Sequence, residues 1–257
     1  MDIVKLTPSA DPIDAARPYQ VTAIKPAVRT ENRVNVFIND KYDFSLDISQ
    51  VVDLRLKVGK RLTTRELNDC RHASEFGKLY QHTLEYVLTR PHSIKETRDH
   101  LQQRLKKREL TNRQAVKNRK RSKEDRERFK LRTKELPLYT DQDIDAVITR
   151  LQEKNYLDDQ KFAEYYVENR YYKKGISRKR LQNELQKKGL SPELIAAVLD
   201  SSERSDAEEI QKIIQKKQHK YSAEKLMAYL VRQGFDYQQA KDAVLETDLQ
   251  NSAQNLP

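Results

Sequence analysis

The sequence predicts a mainly α protein: tandem three-helix repeats in an elongated curved array, preceded by a small antiparallel β-sheet domain. Three observations predict it. The stretch Ser177-Arg-Lys-Arg-Leu181-Gln-Asn-Glu-Leu185-Gln-Lys-Lys-Gly189-Leu190 recurs as Ser222-Ala-Glu-Lys-Leu226-Met-Ala-Tyr-Leu230-Val-Arg-Gln-Gly234-Phe235, and a weaker copy starts at Ser93 with Leu101 in the place of Leu185. Repetition at this period marks small helical units that stack into a surface rather than closing a pocket, which favours binding over catalysis. Of the 257 residues, 37% are hydrophobic and 35% charged, with five Gly and no Trp, a composition suited to short helices with broad wet faces. Ahead of the helices, Val34, Val36 and Ile38 alternate with polar residues, as do Tyr42, Phe44 and Leu46 beyond the turn Asn39-Asp40-Lys41, which is a hairpin pattern.

The elements follow in order. Residues 1–18, with Pro8, Pro12 and Pro18 and no apolar period, read as a flexible tail. Residues 19–62 read as the β domain. A strand near Gln20 to Arg29 joins the hairpin to give three strands, the fewest expected to hold together unaided. Short helices are expected near Ile48 to Leu56 and from Thr63 onward. The first repeat occupies 63–157, with a helical stripe from about Glu75 through Leu79, Leu84, Val87 and Leu88, then a capping box at Ser93-Ile-Lys-Glu96. An insertion at about 105–138 splits it, and the helical period resumes at Asp141 with Ile144, Val147, Ile148 and Leu151. The second repeat, 158–203, opens with Asp158 as cap and Asp159 complementing the helix dipole, and Leu157 is placed to pack on Phe162. Ser177 caps its middle helix, and Ser191-Pro192 opens its last. The third repeat takes 204–247, and 248–257 reads as a second tail.

Net charge is +11, and its place is more informative than its size. Between Arg104 and Glu135 stand 15 Lys or Arg against 5 Asp or Glu, so one segment carries nearly all of the surplus. A field this concentrated favours polyanions, because Lys and Arg displace the counterions condensed on phosphates. A solvated, solubilising helix face is the plainer explanation of the same run.

No familiar catalytic chemistry is present. Gly59, Gly77, Gly175, Gly189 and Gly234 are too scattered for a phosphate-cradling loop, and the five histidines with one cysteine lack zinc spacing. No catalytic residue, cofactor or metal is expected. The lone Cys70 suits a reducing compartment, no run approaches a membrane span, and the N-terminus lacks a signal-peptide core. A soluble, cytoplasmic monomer that avoids membranes is the expectation. Cations interleaved with tyrosines remain: Arg170-Tyr171-Tyr172-Lys173-Lys174 and Arg178-Lys179-Arg180 flank one interhelix turn, where they suit backbone phosphates or an acidic protein groove.

The phrase Tyr156-Leu157-Asp158-Asp159-Gln160-Lys161-Phe162-Ala163, followed by Arg170 and by Ser177 with Leu181, Leu185, Gly189 and Leu190, resembles the signature of the RecX family of bacterial recombination regulators. The likeness runs from about Tyr19 to Glu246. It implies a non-enzymatic modulator of RecA, the recombinase that polymerises on single-stranded DNA, lying along the groove of that filament and hindering strand exchange, ATP turnover and filament growth. The first repeat departs from the pattern: Leu105-Lys106 replaces the Gly turn, Thr97 takes a core leucine position, and the insertion divides it.

By charge and position, the candidates for contact with RecA or DNA are Arg170, Lys173, Lys174, Arg178, Lys179, Arg180, Lys187 and Lys188. Candidates in the basic segment, for single- and double-stranded DNA, are Lys106, Lys107, Arg108, Arg113, Lys117, Arg119, Lys120, Arg121, Lys123, Arg126, Arg128, Lys130, Arg132 and Lys134. The rival expectation is a stand-alone basic DNA- or RNA-binding protein that uses its three-helix units as helix-turn-helix-like readers.

Overall fold

Four antiparallel strands open the chain: β1 (Tyr19–Pro26), β2 (Arg33–Ile38), β3 (Lys41–Asp47) and β4 (Arg61–Leu62), in the order β3-β2-β1-β4. The structure is a computed structural model that describes residues 18–28, 32–117 and 139–254, with 111–117 and 248–254 described in their backbone only. The hairpin forms as the alternation requires. Val36 pairs with Phe44, and Asn39 and Asp40 take positive φ of 48° and 63°, the conformation a tight two-residue turn demands. One strand more is present than the alternation predicts. β4 is two residues long, too short for any period, and is recruited when Leu62 pairs with Tyr19.

Among the described residues there are ten helices, the first of them between β3 and β4, so the fold is mainly helical with a small antiparallel sheet, as expected. They are α1 (Ile48–Asp53), α2 (Thr64–Leu88), α3 (Ile94–Lys117), α4 (Asp141–Glu153), α5 (Asp159–Asn169), α6 (Arg178–Lys187), α7 (Pro192–Ser201), α8 (Asp206–Lys217), α9 (Ala223–Arg232) and α10 (Tyr237–Gln254). The helix expected to begin near Glu75 is continuous with the one expected from Thr63. Its start is set by a reciprocal cap, in which Thr63 N–H donates to Glu66 at 2.7 Å and Glu66 N–H to the Thr63 hydroxyl at 3.2 Å. α3 enters the basic segment as far as Lys117, and α10 runs on to Gln254. Residues 1–17 of the first tail lie outside the described residues.

The chain forms two compact units. One comprises the described residues up to Glu85 with Leu101–Thr149, and the other Tyr86–His100 with the residues from Arg150 onward. In the first, Val21, Val36, Phe44, Leu46 and Leu62 face Leu67 and Cys70 of α2. Arg71 forks onto Asp43 at 2.7 and 2.6 Å, and the Ser74 hydroxyl donates to the Ser45 carbonyl at 2.6 Å, so one turn of the helix is keyed to β3. Burial pushes the Cys70 thiol up to about 11, which keeps it protonated and inert.

In the second unit the repeats are plain. Asp158 accepts from Gln160 and Lys161 N–H at the head of α5, Ser177 from Arg180 N–H at α6, and Ser191 from Leu194 N–H at α7. Phe162, Val167, Leu181, Leu185, Ile195 and Leu199 close one core. Ile210, Ile214, Leu226, Leu230, Phe235 and Val244 close its counterpart in the third repeat.

Candidate functional site

Adjacent repeats are joined by the same two hydrogen bonds, used twice. The Ser93 hydroxyl, which caps α3 by accepting from Glu96 N–H at 3.0 Å, also donates to the Lys188 carbonyl at the end of α6, at 2.8 Å. Ser177 does the same one repeat on, donating to the Gln233 carbonyl at the end of α9, at 2.7 Å. Beside each, an aspartate in the first turn of the following repeat accepts the N–H after the capping serine: Asp159 from Ile94 at 2.8 Å and Asp206 from Arg178 at 2.7 Å. Asp159 therefore holds a neighbouring helix end, a role beyond the dipole complement expected of it. The glycines that close the middle helices let the backbones meet here. Gly189 has φ of +87°, and a Cβ on it would lie 2.7 Å from the Cβ of Lys95.

Above the first joint lies an open groove of about 610 Å³, walled by α3, α5 and α6. Arg170, Lys187 and Lys188, all singled out from sequence, line it together with Arg90, Lys95 and Tyr165. Glu184 organises its floor: it accepts from Arg170 Nε at 2.7 Å, from the Tyr166 hydroxyl at 2.6 Å and from Arg180 Nε at 3.2 Å. Burial raises the carboxyl's pKa, and the hydrogen bonds from Arg170, Tyr166 and Arg180 more than offset it, so Glu184 sits below the usual carboxylate range. Burial and the same carboxylate raise the Tyr166 hydroxyl, which remains a donor at every physiological pH. The Arg170 guanidinium lies over Tyr171 at 4.0 Å from the ring centre and over Tyr166 at 5.5 Å. Glu96 is held likewise: burial raises it, and Lys188 and Arg90 bring it below its ordinary value.

The eight repeat cations thus divide by what they touch. Arg170 and Lys188 are tied to Glu184 and Glu96 and shape the groove, whereas Lys187 stands exposed on its rim. Arg178 binds inside the second repeat, to the Leu199 carbonyl at 2.7 Å and to Asp200. Arg180 bridges Glu184 and Gln233, and Lys173, Lys174 and Lys179 are exposed around the turn before α6. In the basic segment, Arg108 is bonded to Glu75 at 2.8 Å and lies over Tyr139, while Lys106 and Lys107 are exposed. Arg113 and Lys117 belong to the end of α3. Arg119, Lys120, Arg121, Lys123, Arg126, Arg128, Lys130, Arg132 and Lys134 lie outside the described residues.

Sequence reasoning misses a second hub. Arg204 donates to the Val167 and Arg170 carbonyls at 2.6 and 2.8 Å and to both oxygens of Glu209, whose carboxylate also accepts Ile176 N–H at 2.9 Å. Glu209 is buried. A charge at the edge of the apolar run Ile210, Ile213, Ile214, five residues after an arginine, is the signal that marks it.

The comparisons with known proteins fall on both parts of this architecture. A family model described as "RecX, second three-helix domain" matches residues 158–199, and one described as "Regulatory protein RecX N-terminal domain" matches 19–63. The "Regulatory protein RecX" of Bacillus licheniformis is 29% identical over 242 residues, covering 91% of this chain and 79% of that protein. Its namesake from Listeria welshimeri is 27% identical over 235 residues, covering 88% and 75%. A solved structure titled "Crystal structure of regulatory protein RecX" shares the fold, with a TM-score of 0.58 at 17% identity over 86% of this chain and 96% of that one. With a RecX N-terminal sheet, a RecX three-helix repeat and relatives alike over nearly the whole length, the chain belongs to the RecX family.

Proposed function

We propose that the protein is a non-enzymatic regulator that binds the RecA filament on single-stranded DNA along its groove and mostly restrains recombination, ATP turnover and filament growth. Membership of a family of regulatory proteins carries the reading. The repeated joint supports it: the same contacts between successive repeats hold their exposed cations at a fixed spacing, which suits a partner that is itself a repeating polymer. Several weak contacts of this kind multiply through effective concentration, so no single tight pocket is needed. In this reading Lys173, Lys174, Lys179 and Lys187 meet the filament, and Arg170, Arg178, Arg180 and Lys188 hold them in place. The segment from Lys106 to Lys134 adds electrostatic attraction to DNA.

The test is the DNA-dependent ATPase rate of RecA with substoichiometric amounts of this protein. The rate is expected to fall well beyond one-for-one displacement. An unchanged rate at every ratio overturns the reading.

A further inference from the structure

The two joints share their hydrogen bonds but not the charge of the surface above them. Since Ser93 and Ser177, and Asp159 and Asp206, occupy equivalent places, each groove-lining position at the first joint has a counterpart at the second. The first groove sets five cations against the carboxylates of Glu96, Asp99 and Glu184. At the second joint those three places are taken by Arg180, Asn183 and Tyr229. Tyr165, Asn169 and Arg170 are replaced by Lys212, Lys216 and Lys217, and Lys95 and Lys187 by Lys179 and Arg232. The carboxylates are gone from these three places, cations replace the neutral Tyr165 and Asn169, and one cation is lost where Gln233 stands for Lys188.

The tyrosines there are arranged around the lysines. Lys217 Nζ lies 4.4 Å from the ring centre of Tyr229 and 5.0 Å from that of Tyr221, and Lys212 Nζ lies 5.2 Å from that of Tyr172. Ring faces hold the Lys217 ammonium in position without neutralising it, unlike the carboxylates at the first joint. Lys212 also reaches Glu209 at 2.7 Å, but that carboxylate is buried and already shared with Arg204. Lys179, Lys216 and Arg232 are exposed.

We infer that the surface above the second joint, built on Lys179, Lys212, Lys216, Lys217 and Arg232, binds the phosphodiester backbone of a nucleic-acid strand. An acidic protein segment is the lesser fit. Carboxylates are best met by free arginine forks, and here Arg180 is spent on Glu184 and Gln233, leaving mainly lysines, point charges suited to phosphates read without regard to sequence. The inference deepens the filament reading by giving the chain a direct hold on the strand, and it can fail without it.

The experiment uses the full chain with Lys179→Gln, Lys216→Gln and Arg232→Gln together, and a thermal melt to verify that the fold is kept. Binding of a fluorescent deoxythymidine oligomer, and separately of a duplex, is followed against salt with no RecA present. The slope of log affinity against log salt is expected to shrink by about two on the single strand, and by nearly three on the duplex if that is the form held. A reduced slope on only one of them identifies the form. Slopes equal to those of the unaltered chain on both probes overturn the inference, and so does a variant that loses its effect on RecA while keeping those slopes, since the surface would then face protein. A reduced slope alongside a RecA ATPase that never responds to the unaltered chain upholds the inference and removes the filament reading.

Discussion

The hydroxyl of Ser177 works in two directions, accepting from Arg180 N–H at 3.2 Å to cap its own helix and donating to the Gln233 carbonyl at 2.7 Å to hold the next repeat. Ser222, its counterpart one repeat on, is exposed and caps by accepting from Lys225 N–H at 3.5 Å. Ser177→Ala is therefore expected to cost about 2 kcal/mol, a lost cap plus an unpaired half-buried carbonyl, and Ser222→Ala only about 1. Denaturant unfolding of the two variants checks the ordering; equal losses would show that the joint contributes nothing.

Gly59 and Gly189 separate backbone strain from close approach. Both have φ near +88°, at +89° and +87°, but a Cβ on Gly59 meets nothing within 4 Å while one on Gly189 meets Lys95. Gly59→Ala should cost about 1 kcal/mol, and Gly189→Ala roughly 1–3 more from overpacking. Thermal melts that rank the two variants the other way would contradict the contact assigned to Lys95.

Removal of the buried Glu209 carboxylate leaves the half-buried Arg204 without its ionic partner and Ile176 N–H without its acceptor, and Glu209→Ala is expected to destabilise by about 3 kcal/mol. Arg204→Met should be similarly costly, and the double variant should lose much less than the sum of the two. Additive losses in a double-mutant cycle would mean that the pair does not act as one.

Acid should unfold the protein through Glu96, Glu184 and Glu209, each held below its ordinary value of 4.5. For such a group the unfolded chain binds the proton first, so its stabilisation is complete above about 4.5 and is lost as pH falls through the folded value. Stability measured by urea melts should be level near neutrality and decline below that point. Glu184→Gln should make the decline shallower, and an unaltered acid limb would remove Glu184 from the account.

Lys173→Glu with Lys187→Glu is expected to weaken the effect on RecA severalfold while leaving the melting temperature within about a degree, because exposed charges away from packed features change stability little. Full activity in the ATPase titration would place the contact on another face.

Caps and cores were legible because they are local. Asp158, Ser177, Ser191 and Ser222 each stand directly ahead of an apolar period, and Leu181, Leu185, Leu226 and Leu230 repeat at helical spacing. The continuity of α2 was not, although its start near Thr63 was: Arg65, Asn68, Asp69 and Arg71 crowd its first turns, and Leu67 and Cys70 are the buried apolar residues there that pack on the sheet. The joints were invisible for a different reason. A serine that donates to a carbonyl 56 residues away looks in sequence like any other cap, and the carbonyl belongs to a main chain that no residue type announces. Among the candidate cations, charge was readable but occupation was not: Arg170, Arg180 and Lys188 are spent on Glu184 and Glu96, acids that look like ordinary surface residues.

The shared part of the joint is one hydroxyl, one aspartate and main-chain groups, and the side chains around it make each seam individual: Lys188 meets Glu96 across the first, and Arg204 and Glu209 grip the preceding repeat across the second. Were the second module excised, Ser93 and Ile94 would offer Gln233 and Asp206 the partners they now offer Lys188 and Asp159, but Arg204 and Glu209 would lose the Val167, Arg170 and Ile176 main-chain groups they now hold. The order of the modules is therefore fixed by a buried charge pair, even though the hydroxyl and aspartate between them are the same at both seams.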